Sequence, residues 1–199
     1  MIYYNNDNLI IRSMKKCDIE ELSNAFTKQG WDKPKEQFMN YYNQQENKEK
    51  FVIVAELKGD VAGYVTLLPY AETGPFAYKN IPEIVDFNVL IKFQKRGIGN
   101  LIMDITEALA KDKSDYVSLS VGLHSGYGTA QRMYIKRGYI PDGTGIWYYG
   151  KQLEPHAKCE NDDELTLYLL KSLFSKAERT KDGTNNYAWD GKCNSNKML

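Results

Sequence analysis

The sequence predicts an α/β (α+β) domain: one mixed, mostly antiparallel sheet of six to seven strands flanked by about four helices. Three observations carry this. Strand-like and helix-like patterns alternate along the chain instead of segregating into halves. The β-rich runs on either side of Lys58-Gly59-Asp60 read as an antiparallel hairpin with glycine in its turn. The apolar run FNVLIKF passes through a short glycine-bearing junction, QKRGIGN (Gln94 to Asn100), into the amphipathic LIMDITEALA.

Taken in order, LIIRSM (Leu9 to Met14) alternates as a first strand, and CDIEELSNAFTKQG predicts a helix with Asp18 as N-cap and Gly30 as its stop. A second helix follows Pro34, with Phe38, Tyr41 and Tyr42 on one face. After the hairpin and a loop containing Pro75 and Pro82, EIVDFNVLI (Glu83 to Ile91) predicts a central strand. A helix from Gly97 to about Lys111 buries Ile98, Leu101, Ile102, Ile105 and Leu109. YVSLSVGL (Tyr116 to Leu123) is a strand, GTAQRMYIKRGY a short helix closed by Gly138, and GIWYYG and ELTLYLLKSL are the last two β patterns. From about Ser175 the composition turns polar and aperiodic, so the expected organisation is one domain over 1–174 and a tail over 175–199, disordered or left over from cloning.

With 26 basic and 26 acidic side chains in 199 residues, the net charge is zero. That gives no support to nucleic-acid binding, which shows as a basic excess on one face. Cys17, Cys159 and Cys193 form no CxxC pair and have only His124 and His156 as company, so no metal site is expected. An odd cysteine count, no signal-peptide pattern and no apolar run near ~20 residues point to a cytoplasmic protein without membrane contact.

A strand-to-helix junction with small residues offers free backbone N–H groups at the positive end of a helix dipole, which suits a phosphate. Gly97 and Gly99 permit close approach. There is no GK[ST] of a Walker loop, and Ile102 stands where a dinucleotide fingerprint needs its third glycine.

The block Gln94, Lys95, Arg96, Gly97, Ile98, Gly99 resembles the [Q/R]-x-x-G-x-[G/A] pyrophosphate loop of the GNAT superfamily of acyl-CoA N-acyltransferases. Glu83, Ile84, Asp86 and Val89 match its upstream E-I-x-D-x-x-V form; Ala130, Tyr134, Lys136, Gly138 and Tyr139 match its downstream A-x-x-x-Y-x-K-x-G-[F/Y] form. Trp31-Asp32-Lys33-Pro34, Gly63-Tyr64 and Gly126 to Gly143 are similar to a bacterial subgroup whose acceptors are often unassigned.

The resemblance implies a sheet splayed between the fourth and fifth strands of the family and acetyl-CoA as co-substrate. It also implies transfer of the acetyl group to a primary amine of a small molecule or peptide by direct attack in a ternary complex. The alternatives it leaves are a protein or peptide N-acetyltransferase and a non-catalytic CoA-binding module; homodimers are frequent in the family. It implies that Val89 donates its N–H to the thioester oxygen, that Tyr134 protonates the leaving thiolate, and that Val89, Ile91 and Gln94 through Asn100 contact the coenzyme.

For the base, Glu83 occupies the position of the family's glutamate, with Asp86 or a water as rivals. On a regular strand the two carboxylates point to opposite faces, and a bulge would upset that parity. The chain departs from the family at Tyr127, seven residues before Tyr134, where asparagine is usual; Tyr127 is kept as a coenzyme contact, and His124 and Ser125 as cleft neighbours. Trp31, Tyr41, Tyr127, Trp147 and Tyr148 are candidate acceptor walls. The segment Glu160 to Glu164, with four carboxylates in five residues, reads as a solvated loop or as a lure for a cationic acceptor.

Overall fold

A computed structural model describes residues 1–174; the expected tail at 175–199 lies outside them. In chain order the elements are β1 (Ile2–Asn5), β2 (Leu9–Ser13), α1 (Asp18–Lys28), α2 (Lys35–Glu46), β3 (Phe51–Leu57), β4 (Asp60–Leu68), β5 (Glu83–Val89), α3 (Ile98–Lys111), β6 (Tyr116–Gly122), α4 (Gly128–Lys136), β7 (Ile140–Tyr148), β8 (Lys151–Gln152) and β9 (Leu165–Ser172). They form one sheet in the order β1-β2-β3-β4-β5-β6-β9-β7-β8. Neighbouring strands run antiparallel except β5 with β6.

The sheet thus has more strands than the pattern predicts. The additions are edge pieces: β1 is four residues long with Ile2 exposed, and β8 is two residues. Neither buries enough to leave a period in the sequence. A second correction concerns Asp18. Cys17 holds the N-cap position, and Asp18 is the first helical residue, fully buried. Its carboxylate takes a two-pronged ion pair from Arg12 at 2.7 and 2.8 Å and the Lys15 amide at 2.6 Å. The capping-type residue here locks α1 to β2 instead of capping its own helix.

The hairpin forms where expected: Lys58 and Gly59 both have positive φ, the geometry of a tight turn matched to strand twist. β4 becomes the central strand, its residues from Val61 to Leu67 buried on both faces. Tyr64 packs under Phe26 of α1 and Phe38 and Tyr41 of α2, which places these helices on one face. Burying each large ring there contributes about 1.5–3 kcal/mol. α3 covers the other face, with Gly99 against Phe87 and Val89. Arg137, just after α4, reaches Glu107 and Asp104 of α3, so α4 lies on this second side.

β5 and β6 pair only through Glu83 with Ser118 and Ile84 with Leu119. β6 instead runs beside β9 as far as Gly122. The sheet therefore opens between β5 and β6 beyond Ile84.

Candidate active site

The opening begins at a bulge. Thr66 pairs with Val85 and Tyr64 with Asn88, so Val65 faces two residues, Asp86 and Phe87. Asp86 is the extra residue, with φ of 48°, a left-handed conformation uncommon for a non-glycine side chain. The parity of β5 changes there. Glu83, paired with Leu68, and Asp86, bonded to Tyr64, both face the α1/α2 side, whereas Phe87 and Val89 face α3.

The two carboxylates have opposite surroundings. Asp86 accepts from Lys33 Nζ (2.7 Å), Asn88 Nδ2 (2.7 Å), Gln37 Nε2 (2.9 Å), Tyr41 Oη (2.9 Å) and Tyr64 Oη (2.5 Å). Five donors take up the lone pairs of one carboxylate. Glu83 is only 6 % exposed and its pKa is pushed up to about 7, first by burial and then by the charge of Glu72. A carboxyl of that kind can give or take a proton near neutrality.

At the end of β5, Leu90 donates to the Ala62 carbonyl (2.9 Å). Backbone groups alternate sides along an antiparallel strand, so Val89 turns its N–H and C=O away from β4, toward the opening. The Val89 carbonyl is taken there by Gln94 Nε2 at 3.0 Å; the N–H on the same edge faces the gap. Gly63, opposite Val89, has no room for a side chain: a Cβ would lie 2.5 Å from the Asn88 carbonyl oxygen.

A 3-10 turn from Ile91 to Phe93 leads into the junction. Lys95 has φ of 60° and Gly97 of 81°, and α3 starts at Ile98. Nothing stands within 4 Å of where a Gly97 Cβ would be, so that glycine answers to backbone conformation and to what approaches from outside. Gln94 through Gly97 are exposed, while Phe93 and Ile98 are buried anchors on either side. The Phe93 ring carries Lys92 on one contact (4.5 Å) and Arg96 on another (5.7 Å). The first-turn amides of α3, including Ile98, Gly99 and Asn100, have no partner within the helix. Ile91 differs from the rest of its group: its amide is engaged by Gln29 Oε1 at 3.1 Å, a contact from α1's C-cap that the sequence did not signal.

Across the opening, Tyr134 of α4 is 6 % exposed and packs edge-on to Tyr139. Its phenol pKa is raised, by burial first and by Tyr127 second, so it stays protonated through the neutral range. Tyr127 lies in the 3-10 turn Ser125–Tyr127 before α4. Its ring rests on Gly122, where an added Cβ would come within 2.4 Å. Its hydroxyl donates to Asp163 (2.9 Å), and burial together with Asp163 pushes its pKa up to about 12. His124 accepts from the Gly126 amide on Nδ1 and meets Asp163 with Nε2 at 2.8 Å, so Nε2 is the nitrogen left to carry the proton. One member of the acidic segment is thus fastened to the exit of β6, while Asp162 takes the Tyr148 hydroxyl (3.2 Å).

The expected acceptor walls divide. Tyr41 sits at Asp86 with Lys50 Nζ 4.7 Å above its ring. Trp147 stacks edge-on to Tyr168 in a small cluster with Ala71 and Phe76, and Tyr168 lies within electrostatic reach of Glu83. Trp31 packs on Phe26 at the α1 end. A separate cleft of about 820 Å³ between α1, the β3–β4 turn and Leu90–Lys92 contains none of the two carboxylates, Tyr134 or the junction from Gln94 onward. Among the described residues no group of three or more His, Cys, Asp or Glu is placed to hold a metal, and no helix is long and apolar enough to cross a membrane.

The model of the acetyltransferase (GNAT) family matches residues 17–139. No curated protein matches the chain. Solved structures match its fold: Ard1 from Thermoplasma volcanium (18 % identity, TM-score 0.61, covering 84 % of this chain and 99 % of that one) and an N-acetyltransferase from Staphylococcus aureus Mu50 (17 %, 0.63, 84 % and 100 %). YncA from Salmonella typhimurium, solved with its cofactor acetyl-CoA, is similar at 14 % identity with a TM-score of 0.62, covering 86 % and 97 %.

Proposed function

The chain belongs to the GNAT acetyltransferase family and is an acyl-CoA-dependent N-acyltransferase with acetyl-CoA as co-substrate; from that premise we propose how its own residues carry out the transfer, to a primary amine of a small molecule or peptide by direct attack in a ternary complex. The observation that carries the reading is the Val89 N–H, turned out of the β4 ladder into the gap between β5 and β6, close in sequence to a helix start whose first-turn amides have no side-chain cap. The amides from Lys95 to Asn100, with the α3 dipole and the cations Lys95 and Arg96, hold the diphosphate. Val89 N–H then meets the thioester oxygen and stabilises the negative charge it gains in the transition state.

Glu83, which keeps a pKa near 7, takes a proton from the acceptor ammonium or its attacking nitrogen, directly or through a water. Asp86 fits this role poorly because its lone pairs are already committed. The amine nitrogen bonds to the carbonyl carbon and the carbon–sulfur bond breaks. Tyr134 hands its phenolic proton to the departing sulfur and recovers a proton from solvent, leaving an amide and free coenzyme A. Incubating purified protein with acetyl-CoA and a panel of amines, and reading release of free thiol, tests the assignment. Amine-dependent thiol release in the wild type and its loss in Tyr134→Phe are expected; equal rates in both would remove Tyr134 from the mechanism.

A further inference from the structure

Asp86 has a definite set of partners and no free lone pair, which raises the question of what a half-buried, fully bonded carboxylate does at the edge of a reaction site. Its donors come from four places: Lys33 in the α1–α2 turn, Gln37 and Tyr41 in α2, Tyr64 in β4 and Asn88 in β5 itself. Lys33 is held further over the rings of Phe26 and Tyr64, at 5.9 and 5.6 Å. Meanwhile Asp86 occupies the extra position of the β5 bulge with a positive φ, a conformation that persists only where surroundings impose it.

We propose that Asp86 is the positioning residue that sets the bulge of β5 and so aims the Val89 N–H at the thioester oxygen, while docking α2 onto the same strand. The proposal rests on the coenzyme reading above. The link is short: only Phe87 and Asn88 separate Asp86 from Val89, and the bulge decides which edge each of these amides faces. Tyr64 pairs with Asn88 and Gly63 with Val89 immediately after the bulge; without the extra residue the register would slip by one, Val89 would lie opposite Ala62 and its N–H would turn into the β4 ladder. The bonds from Lys33, Gln37 and Tyr41 pin the bulge from the α1/α2 side, and those from Tyr64 and Asn88 hold it within the sheet. The arrangement also gives the segment Trp31-Asp32-Lys33-Pro34 a task, since Lys33 is its only member bonded to the carboxylate.

The test needs no knowledge of the acceptor. Acetyl-CoA labelled with carbon-13 at the thioester carbonyl has a C=O stretching band that moves to lower frequency when the oxygen accepts a hydrogen bond. Isotope-edited infrared difference spectra of the labelled compound bound to wild-type protein are expected to show that downshift. Asn tolerates positive φ, so Asp86→Asn leaves the backbone conformation accessible while replacing one acceptor oxygen with an NH2 donor and removing the charge.

In Asp86→Asn at least half of the downshift is expected to vanish, while calorimetric affinity for acetyl-CoA changes by less than about tenfold, because the junction that grips the diphosphate is intact. Tyr64→Phe, which removes one donor and keeps the ring, is expected to lose a smaller part and covers the case in which Asp86→Asn does not fold. Asp18→Asn serves as a control for general destabilisation: a lower melting temperature with the band unmoved. A full downshift in Asp86→Asn, or in Tyr64→Phe if only that variant folds, overturns the proposal and leaves the coenzyme reading standing. A wild type that does not bind acetyl-CoA overturns both.

Discussion

At the scale of single residues the proposed mechanism turns on two protons. Replacing Tyr134 by Phe removes the proposed donor for the leaving sulfur while keeping the ring that packs on Tyr139. Steady-state kinetics should show kcat lowered on the order of 10²-fold with little change in KM for acetyl-CoA. Glu83 makes a prediction of definite sign. Its pKa rises from 4.5 to about 7 on folding, so the folded state binds more protons than the unfolded one between those values. Its contribution to stability is therefore present below about pH 4.5 and is lost as pH rises through 7. Glu83→Gln should be more stable than wild type at pH 8, on the order of 1–3 kcal/mol, with no such gain at pH 4.5, measured by urea unfolding at both. The same variant should lose the rise of kcat/KM with pH that wild type shows around neutrality. These residue types were legible in the sequence, but the difference between them was not. Glu83 and Asp86 are both acids in one strand, and what separates them, among the described residues, is five donors around one and none bonded to the other.

At the scale of elements the junction and the bulge do different work. Gly97 stands at positive φ with open space beside it; Asp adopts that conformation at a cost of roughly 1–2 kcal/mol, so Gly97→Asp should fold and, on the proposed coenzyme reading, place a negative side chain where the diphosphate would arrive. Titration calorimetry is expected to show no acetyl-CoA binding; unchanged affinity in a folded variant would end the assignment of the loop. Gly63→Ala is a different case, since its Cβ would meet backbone atoms of Asn88 and Val89 at 2.5 and 2.9 Å. Backbone cannot rotate away, and a destabilisation of about 1–3 kcal/mol is expected, read from chemical denaturation. The junction could be read from the sequence because glycines at fixed spacing after an apolar run have a local cause. The bulge was raised only as a condition, because an inserted residue changes no local propensity; it appears when β4 and β5 are laid side by side.

At the scale of the whole molecule, the last described residues are fastened to the sheet. β9 ends at Ser172, Leu173 donates to the Asp115 carbonyl (2.8 Å), and Phe174 packs edge-on to Tyr116. A chain ending after Phe174 should therefore keep its melting temperature within about 2–4 °C of the full chain, the shift that 1 kcal/mol produces at this size. The order of the main strands and helices, the hairpin and the glycine junction followed from the sequence alone, since each depends on periodicity or turn chemistry among near neighbours, while the tyrosine of α4 was singled out by the family resemblance. Tertiary structure decided which acid is hydrogen-bonded and which is isolated, that Tyr127 bonds to Asp163, and that the Val89 amide faces the gap. These depend on residues tens of positions apart meeting across a sheet, and hydrogen bonds at that separation leave no period in a sequence.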